Sequence, residues 1–189
     1  NILVPSYFRP SVLARDRLSE WHTPYSFHSM SSLAARFPAE IIRKWRDVVL
    51  ASVEEDTRGN YGAGLLRFGH FCDQHRVPEL SRMPASEGLL SMFIASYGAG
   101  QVSAGTVASW LSGLQLWHQL NGAPWHGGEI LWRTKKGVSK LAPPSSRRPP
   151  RDPVSRQHMF VLRKYLDLGN TFDAAVWAAA TSSWKGCAR

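Results

Sequence analysis

Seven histidines and two cysteines are the chain's soft candidate metal ligands, and their spacing argues against a metal centre. Cys72 and His75 form a C-x2-H pair, but no second pair lies at a separation that would complete a tetrahedral set. His70 and His75 fit surface positions, and His118 fits a core histidine with its ring nitrogens satisfied. Gly98, Gly100 and Gly105 resemble a glycine-rich phosphate loop only loosely, since no strand precedes them and no GK[ST] follows. Neither a G-x-S-x-G elbow nor a paired-carboxylate cluster occurs. No autonomous active site, metal or other cofactor is therefore expected.

Phosphate binding is the chemistry that the spacing does support. From Arg133 to Arg156 the chain carries eight basic residues, Arg133, Lys135, Lys136, Lys140, Arg147, Arg148, Arg151 and Arg156, against the single acid Asp152. This stretch holds most of the +9 net charge, and the sequence pI is about 10.1. A charge run alone is most often a solvated face. Here it continues off a helix into a proline-rich segment, which favours a polyanionic partner, double-stranded DNA, over mere solubility.

The elements that must position these residues are helical. In 57–75, Tyr61, Leu65, Phe68 and Cys72 recur at intervals of four, three and four, one face of a 3.6-residue period. Ser86 is an N-cap for a helix over 86–97 with Leu89, Leu90, Phe93 and Ile94 inward, ending at Gly98. Ser103 or Thr106 opens a third helix that runs to Asn121 and buries Val107, Trp110, Leu111, Leu114, Trp117 and His118. A fourth, over 128–141, turns Ile130, Leu131, Val138 and Leu141 inward and its cations outward. Before these, Pro38 starts a helix carrying Ile41, Ile42, Trp45, Val48, Val49 and Val53. These five helices define a domain over 38–141.

Residues 1–37 lack a sustained period and read as a loosely ordered arm with one short helix near 11–21. The segment 142–154, with five prolines between Ala142 and Pro153, reads as a semi-rigid linker. Beyond it, 155–168 is helical with Met159, Phe160, Leu162 and Leu166 inward, and 171–184 is an alanine-rich helix. Two helices are too few for a domain, so 155–189 is expected to be the opening of a larger one. A start at Asn1 and an end at Arg189 fit a piece of a longer product.

With 43% hydrophobic residues the chain can build a core, and two cysteines suggest no disulfide framework and a reducing, intracellular setting. No apolar run is long enough to cross a bilayer, so no membrane partner is expected. Two helix starts carry short polar or basic residues suited to base edges: Arg58 and Asn60 on one, Thr106 and Ser109 on another. The bland reading of Ser and Thr there is ordinary capping.

The pattern Thr57-x3-Tyr61-x3-Leu65-x2-Phe68-x2-Phe71-Cys72, followed by Gly105-Thr106-Val107-x3-Leu111-x2-Leu114-x3-His118, resembles the core-binding domain of tyrosine recombinases, the phage-integrase-like family. Within it the chain looks like the eukaryotic transposon-borne branch related to Crypton elements, with MPAS, NGAPWHGG and the basic proline-rich linker as further likenesses. The resemblance implies an all-α fold: a five-helix, SAM-like DNA clamp followed by the first two helices of a catalytic domain. It implies DNA binding in the service of recombination and integration, in the nucleus, by assemblies on paired sites. Helices 57–75 and 103–121 would lie in the major groove, making Arg58, Asn60, Thr106 and Ser109 groove residues. Arg133, Lys135, Lys136, Lys140, Arg147, Arg148 and Arg151 would contact phosphates. Arg189 matches a first catalytic arginine, which in the family holds the scissile phosphate.

The family's nucleophilic tyrosine, histidine motif and remaining basic residues lie beyond position 189, and Tyr165 comes too early to replace the tyrosine. The chain alone is therefore not expected to transfer strands. Two rival readings accompany this one. The first is a domesticated remnant that binds a specific DNA sequence without chemistry. The second is a helical protein-interaction module in which Trp110, Trp117, Trp125 and Trp132 would include an exposed patch.

Overall fold

A computed structural model describes residues 4–146 and 153–186, and all of its regular structure is helical. Among the described residues there are nine α-helices and three short 3-10 turns, with no strand. In chain order the helices are α1 (Arg17–Glu20), α2 (Pro24–Ala34), α3 (Ala39–Ala51), α4 (Glu55–Gln74), α5 (Glu87–Gly98), α6 (Ala104–Leu120), α7 (Glu129–Lys140), α8 (Arg156–Tyr165) and α9 (Thr171–Gly186). The chain divides into two compact units, 1–147 and 148–189.

In the first unit α4 and α6 form the central pair. Their crossing is set by glycine on both sides: a Cβ on Gly64 would lie 2.7 Å from the Trp110 Cα, and one on Gly113 would lie 2.8 Å from the Tyr61 Cα. The two contacts run in opposite chain directions, so the helices are antiparallel. Leu65, Phe68 and Cys72 of α4 and Val107, Trp110, Leu114 and Trp117 of α6 are buried at this seam and around it, with Leu90, Phe93 and Ile94 of α5. Phe93 meets Phe68 edge-on at 5.4 Å between ring centroids and lies 5.8 Å from Trp110. The apolar stripes of α4, α5 and α6 thus fall on the core side, as their periodicity requires.

Residues 4–37 are not a loose arm. Leu18 is fully buried and Trp21 is 3% exposed. The Trp21 indole N–H donates to the Pro10 carbonyl at 3.1 Å, and the Trp117 indole N–H donates to the Trp21 carbonyl at 2.8 Å. Thr23 caps α2 in a reciprocal box with Ser26, with Pro24 in the first turn. Arg9 is ion-paired with Asp73 and Glu79, and Arg82 binds the same Asp73 at 2.8 Å. Most of the partners that hold this segment lie far along the chain, so no local period announces them.

Two further expectations fail for α3 and α7. Helix α3 has no buried residue, and Ile41, Trp45 and Val48 are exposed. It is held instead by Ile42, Val49 and Leu50, half-buried, and by Arg46, which donates to the carbonyls of Leu120 and Ser19, each at 3.3 Å. On α7, Leu131 and Val138 face inward, whereas Ile130 and Leu141 are exposed. Leu131 and Val138 lie seven residues apart, two turns, and that narrow stripe leaves Ile130 a quarter-turn outside it.

In the second unit, Ser155 and His158 form a capping box for α8, and the Trp184 indole N–H donates to the Val154 carbonyl at 2.9 Å. Met159 is buried, and Leu162 and Leu166 are half-buried. Phe160 is 74% exposed, contrary to its expected inward face, because the next residue after Met159 is turned about 100° away from it.

Candidate nucleic-acid interface

Helix α7 carries four exposed basic residues, Arg133, Lys135, Lys136 and Lys140, against the single acid Glu129. Its N-terminus has no side-chain cap of its own. The Leu131 N–H donates instead to Glu87 Oε1 of α5 at 3.0 Å, placing a carboxylate where the helix dipole favours one. At the other end Val138 packs on Gly98, the last residue of α5. Helices α5 and α7 are therefore parallel neighbours, fastened at both ends.

With Leu131 and Val138 fixed inward, the outer face of α7 carries Glu129, Trp132, Arg133, Lys136 and Lys140. All five are exposed, as is Lys135 towards one flank. These outer residues, with Gly137, line an open groove of about 660 Å³. The one acid, Glu129, pairs with Arg133 at 2.8 Å across one helical turn, and both are more than 60% exposed. Such a solvated pair is weak and easily exchanged for a phosphate. Trp132 is 53% exposed, with the Lys136 Nζ 5.1 Å and the Arg133 guanidinium carbon 6.0 Å from its ring centroid.

The expected groove-reading residues do not form one cluster. Arg58 is half-buried on α4 and its Nε is enclosed without a partner, whereas Asn60 is exposed. Thr106 and Ser109 are half-buried on α6. Thr106 takes part in the cap itself: its N–H donates to Ser103 Oγ at 3.1 Å, and its hydroxyl lies 2.9 Å from the same oxygen. From the antiparallel crossing, Arg58 and Thr106 lie roughly 15 Å apart along the pair, more than the ~12 Å width of a major groove. Val107 packs on Gly98 beside Val138, so the Thr106 end of α6 shares its side of the unit with the C-terminal end of α7. Arg147, Arg148, Arg151 and Arg189 lie outside the described residues.

The remaining candidate chemistry resolves into packing. Cys72 is buried, and burial pushes its thiol up to about 12, far from a reactive thiolate. His75 is exposed against Phe71, and among the described residues no cluster of potential ligands could hold a metal ion. Gly98 is a contact point for Val107, and Gly100 turns the chain at a φ of +71°. Of the four tryptophans singled out, Trp110 and Trp117 are buried, Trp125 is half-buried and only Trp132 is exposed. No helix of the described residues is long and apolar enough to cross a membrane.

Fold and site together define a helical protein with a cationic, tryptophan-bearing face. None of the family models, curated proteins or solved structures compared with the chain matches it.

Proposed function

We propose that this chain binds DNA, with α7 as its principal phosphate-contacting element, and that it does so as the core-binding module of a tyrosine-recombinase-like protein. The observation that carries the DNA reading is the exposed cations of α7, Arg133, Lys136 and Lys140 on its outer face and Lys135 on its flank, on a helix fixed at both ends. A rigid row of cations can match phosphate spacing without first being ordered, which lowers the entropic cost of binding. Helices α3 to α7 then stand for the five-helix, SAM-like clamp, and α8 and α9 for the opening of a catalytic domain. Arg58 and Asn60 towards one end of the α4–α6 pair, Ser109 next to the Gly64–Trp110 crossing and Thr106 towards the other end touch successive stretches of duplex. The nucleus is the corresponding compartment, and assemblies on paired sites are the corresponding working state. Recombination and integration are the processes such a module would serve.

Fluorescence anisotropy on random duplex DNA over a salt series tests this reading. Affinity is expected to fall steeply with salt, and Lys135→Gln with Lys136→Gln to reduce the slope by about 0.9 for each phosphate no longer neutralised. Weakening should be similar on every duplex sequence, because phosphate contacts carry no sequence information. Absence of binding at low salt, or an unchanged slope in the double variant, would sink the proposal.

A second reading, a helical protein-interaction module, rests on α3. Its exposed Ile41 and Trp45 line an apolar groove with Leu33, Phe37 and Ile42, and Val48 is exposed on the same helix. Failure to bind DNA anywhere in the salt series would leave this reading standing.

A further inference from the structure

The DNA reading leaves one feature of α7 without a purpose: a large aromatic ring standing among the cations. Phosphate binding needs charge alone, and an indole half out of water carries a hydrophobic cost that a lysine or glutamine at position 132 would avoid. Trp132 is not there to complete the core, which α7 reaches through Leu131 and Val138. Its indole N–H caps no neighbour, making no hydrogen bond among the described residues, as is also the case for Trp45, Trp110, Trp125 and Trp177. The Lys136 Nζ and the Arg133 guanidinium lie over the ring, 5.1 and 6.0 Å from its centroid; as exposed side chains they can leave the indole to a base and turn to the phosphates next to it.

An exposed indole covered only by two mobile cationic side chains suits nucleotides whose bases are free of their own stack. Every base has a π-face, but in intact duplex those faces are covered by the neighbouring base pairs. We propose that Trp132 is a base-stacking platform and that the α7 face binds unpaired nucleotides of DNA in preference to intact duplex. This rests on the DNA reading of the same face and names the form of DNA it takes. The cations supply attraction to any strand, and the indole adds the discrimination.

The test compares three fluorescein-labelled probes with the full chain: a mixed-sequence single strand, the blunt duplex of that sequence, and the duplex with a central unpaired bulge. The single strand and the bulge are expected to bind more tightly than the blunt duplex. Trp132→Ala should lower affinity for both by about tenfold, the range of one stacked base, and should change blunt-duplex binding less than about twofold. Trp132→Phe should restore most of the affinity. Because the side chain is exposed and fills no core position, both variants are expected to keep the wild-type melting curve, which is measured alongside. Equal weakening on all three probes, or none on any, would overturn the stacking proposal while leaving salt-dependent duplex binding intact. Failure of all three probes to bind at low salt would overturn the DNA reading itself.

Discussion

His118 shows how far a single residue can be read in this chain. It is fully buried, the Ala85 N–H donates to its Nε2 at 2.9 Å, and so Nδ1 carries the proton and donates to the Leu114 carbonyl at 2.7 Å. Burial pushes its pKa down to about 4; the Leu114 hydrogen bond opposes this, and nearby His126 adds a smaller push downward. The unfolded chain takes up this proton near the ordinary value of 6.5, and the folded chain does not until much lower pH. Its contribution to stability is therefore complete above about pH 6.5 and is lost as pH falls towards 4, a change of roughly 3 kcal/mol. Urea midpoints measured from neutral pH down to about pH 4 should show that decline in the wild type and a shallower one in His118→Gln. Parallel declines in the two proteins would rule the histidine out as the cause. The residue was legible in the sequence because it continues the apolar stripe of α6. Trp132 was not, since its identity marks it equally for a core or a surface, and only the inward turn of Leu131 and Val138 decides between them.

Among the elements, the helices of strongest period were readable and their partners were not. The stripes of α4, α5 and α6 give their buried faces directly, whereas nothing local says that α4 and α6 cross on glycine. That crossing is open to test. Gly64→Ala or Gly113→Ala places a methyl against a backbone atom of the opposite helix, and the cost of overpacking, about 1–3 kcal/mol, outweighs the roughly 1 kcal/mol by which alanine improves helix propensity. Gly59→Ala, whose added Cβ meets nothing within 4 Å, should gain the propensity term alone and raise the melting temperature. If all three variants were stabilised, the close approach would be refuted. Helix α7 poses the complementary case, an element whose position depends on one carboxylate. Glu87→Gln removes no cation from the outer face, yet it weakens the one side-chain acceptor that the described residues give the α7 N-terminus. DNA affinity should fall several-fold with an unchanged salt slope, and a reduced slope would show instead that fewer phosphates were being neutralised. The amphipathic patterns of α3 and the first turn of α7 misled because each carries more apolar residues than its neighbours can cover, and the sequence does not say which stay in water.

At the scale of the whole molecule, the boundary drawn at Pro38 is where local reasoning breaks down most clearly. A domain of α3 to α7 alone would leave Trp117 without the acceptor for its indole N–H and Asp73 without one of its two guanidinium partners. It would also uncover the surface now filled by Leu18 and Trp21, each buried to within a few per cent. Burying two such side chains is worth about 3–6 kcal/mol, a large part of the 5–15 kcal/mol that holds a typical domain together. The charge group of Arg9, Asp73, Glu79 and Arg82 adds a penalty on removal, because Asp73 is largely enclosed and loses part of its neutralisation. A chain spanning 38–146 should therefore show a broad, low thermal transition and weak near-ultraviolet dichroism, while one spanning 4–146 melts cooperatively. Trp21→Ala in the full chain should cost about 3–5 kcal/mol by urea unfolding. If the shorter chain melts as sharply and at the same temperature as the longer one, the N-terminal segment is a passenger. The folding unit would then be the five helices that periodicity alone picks out.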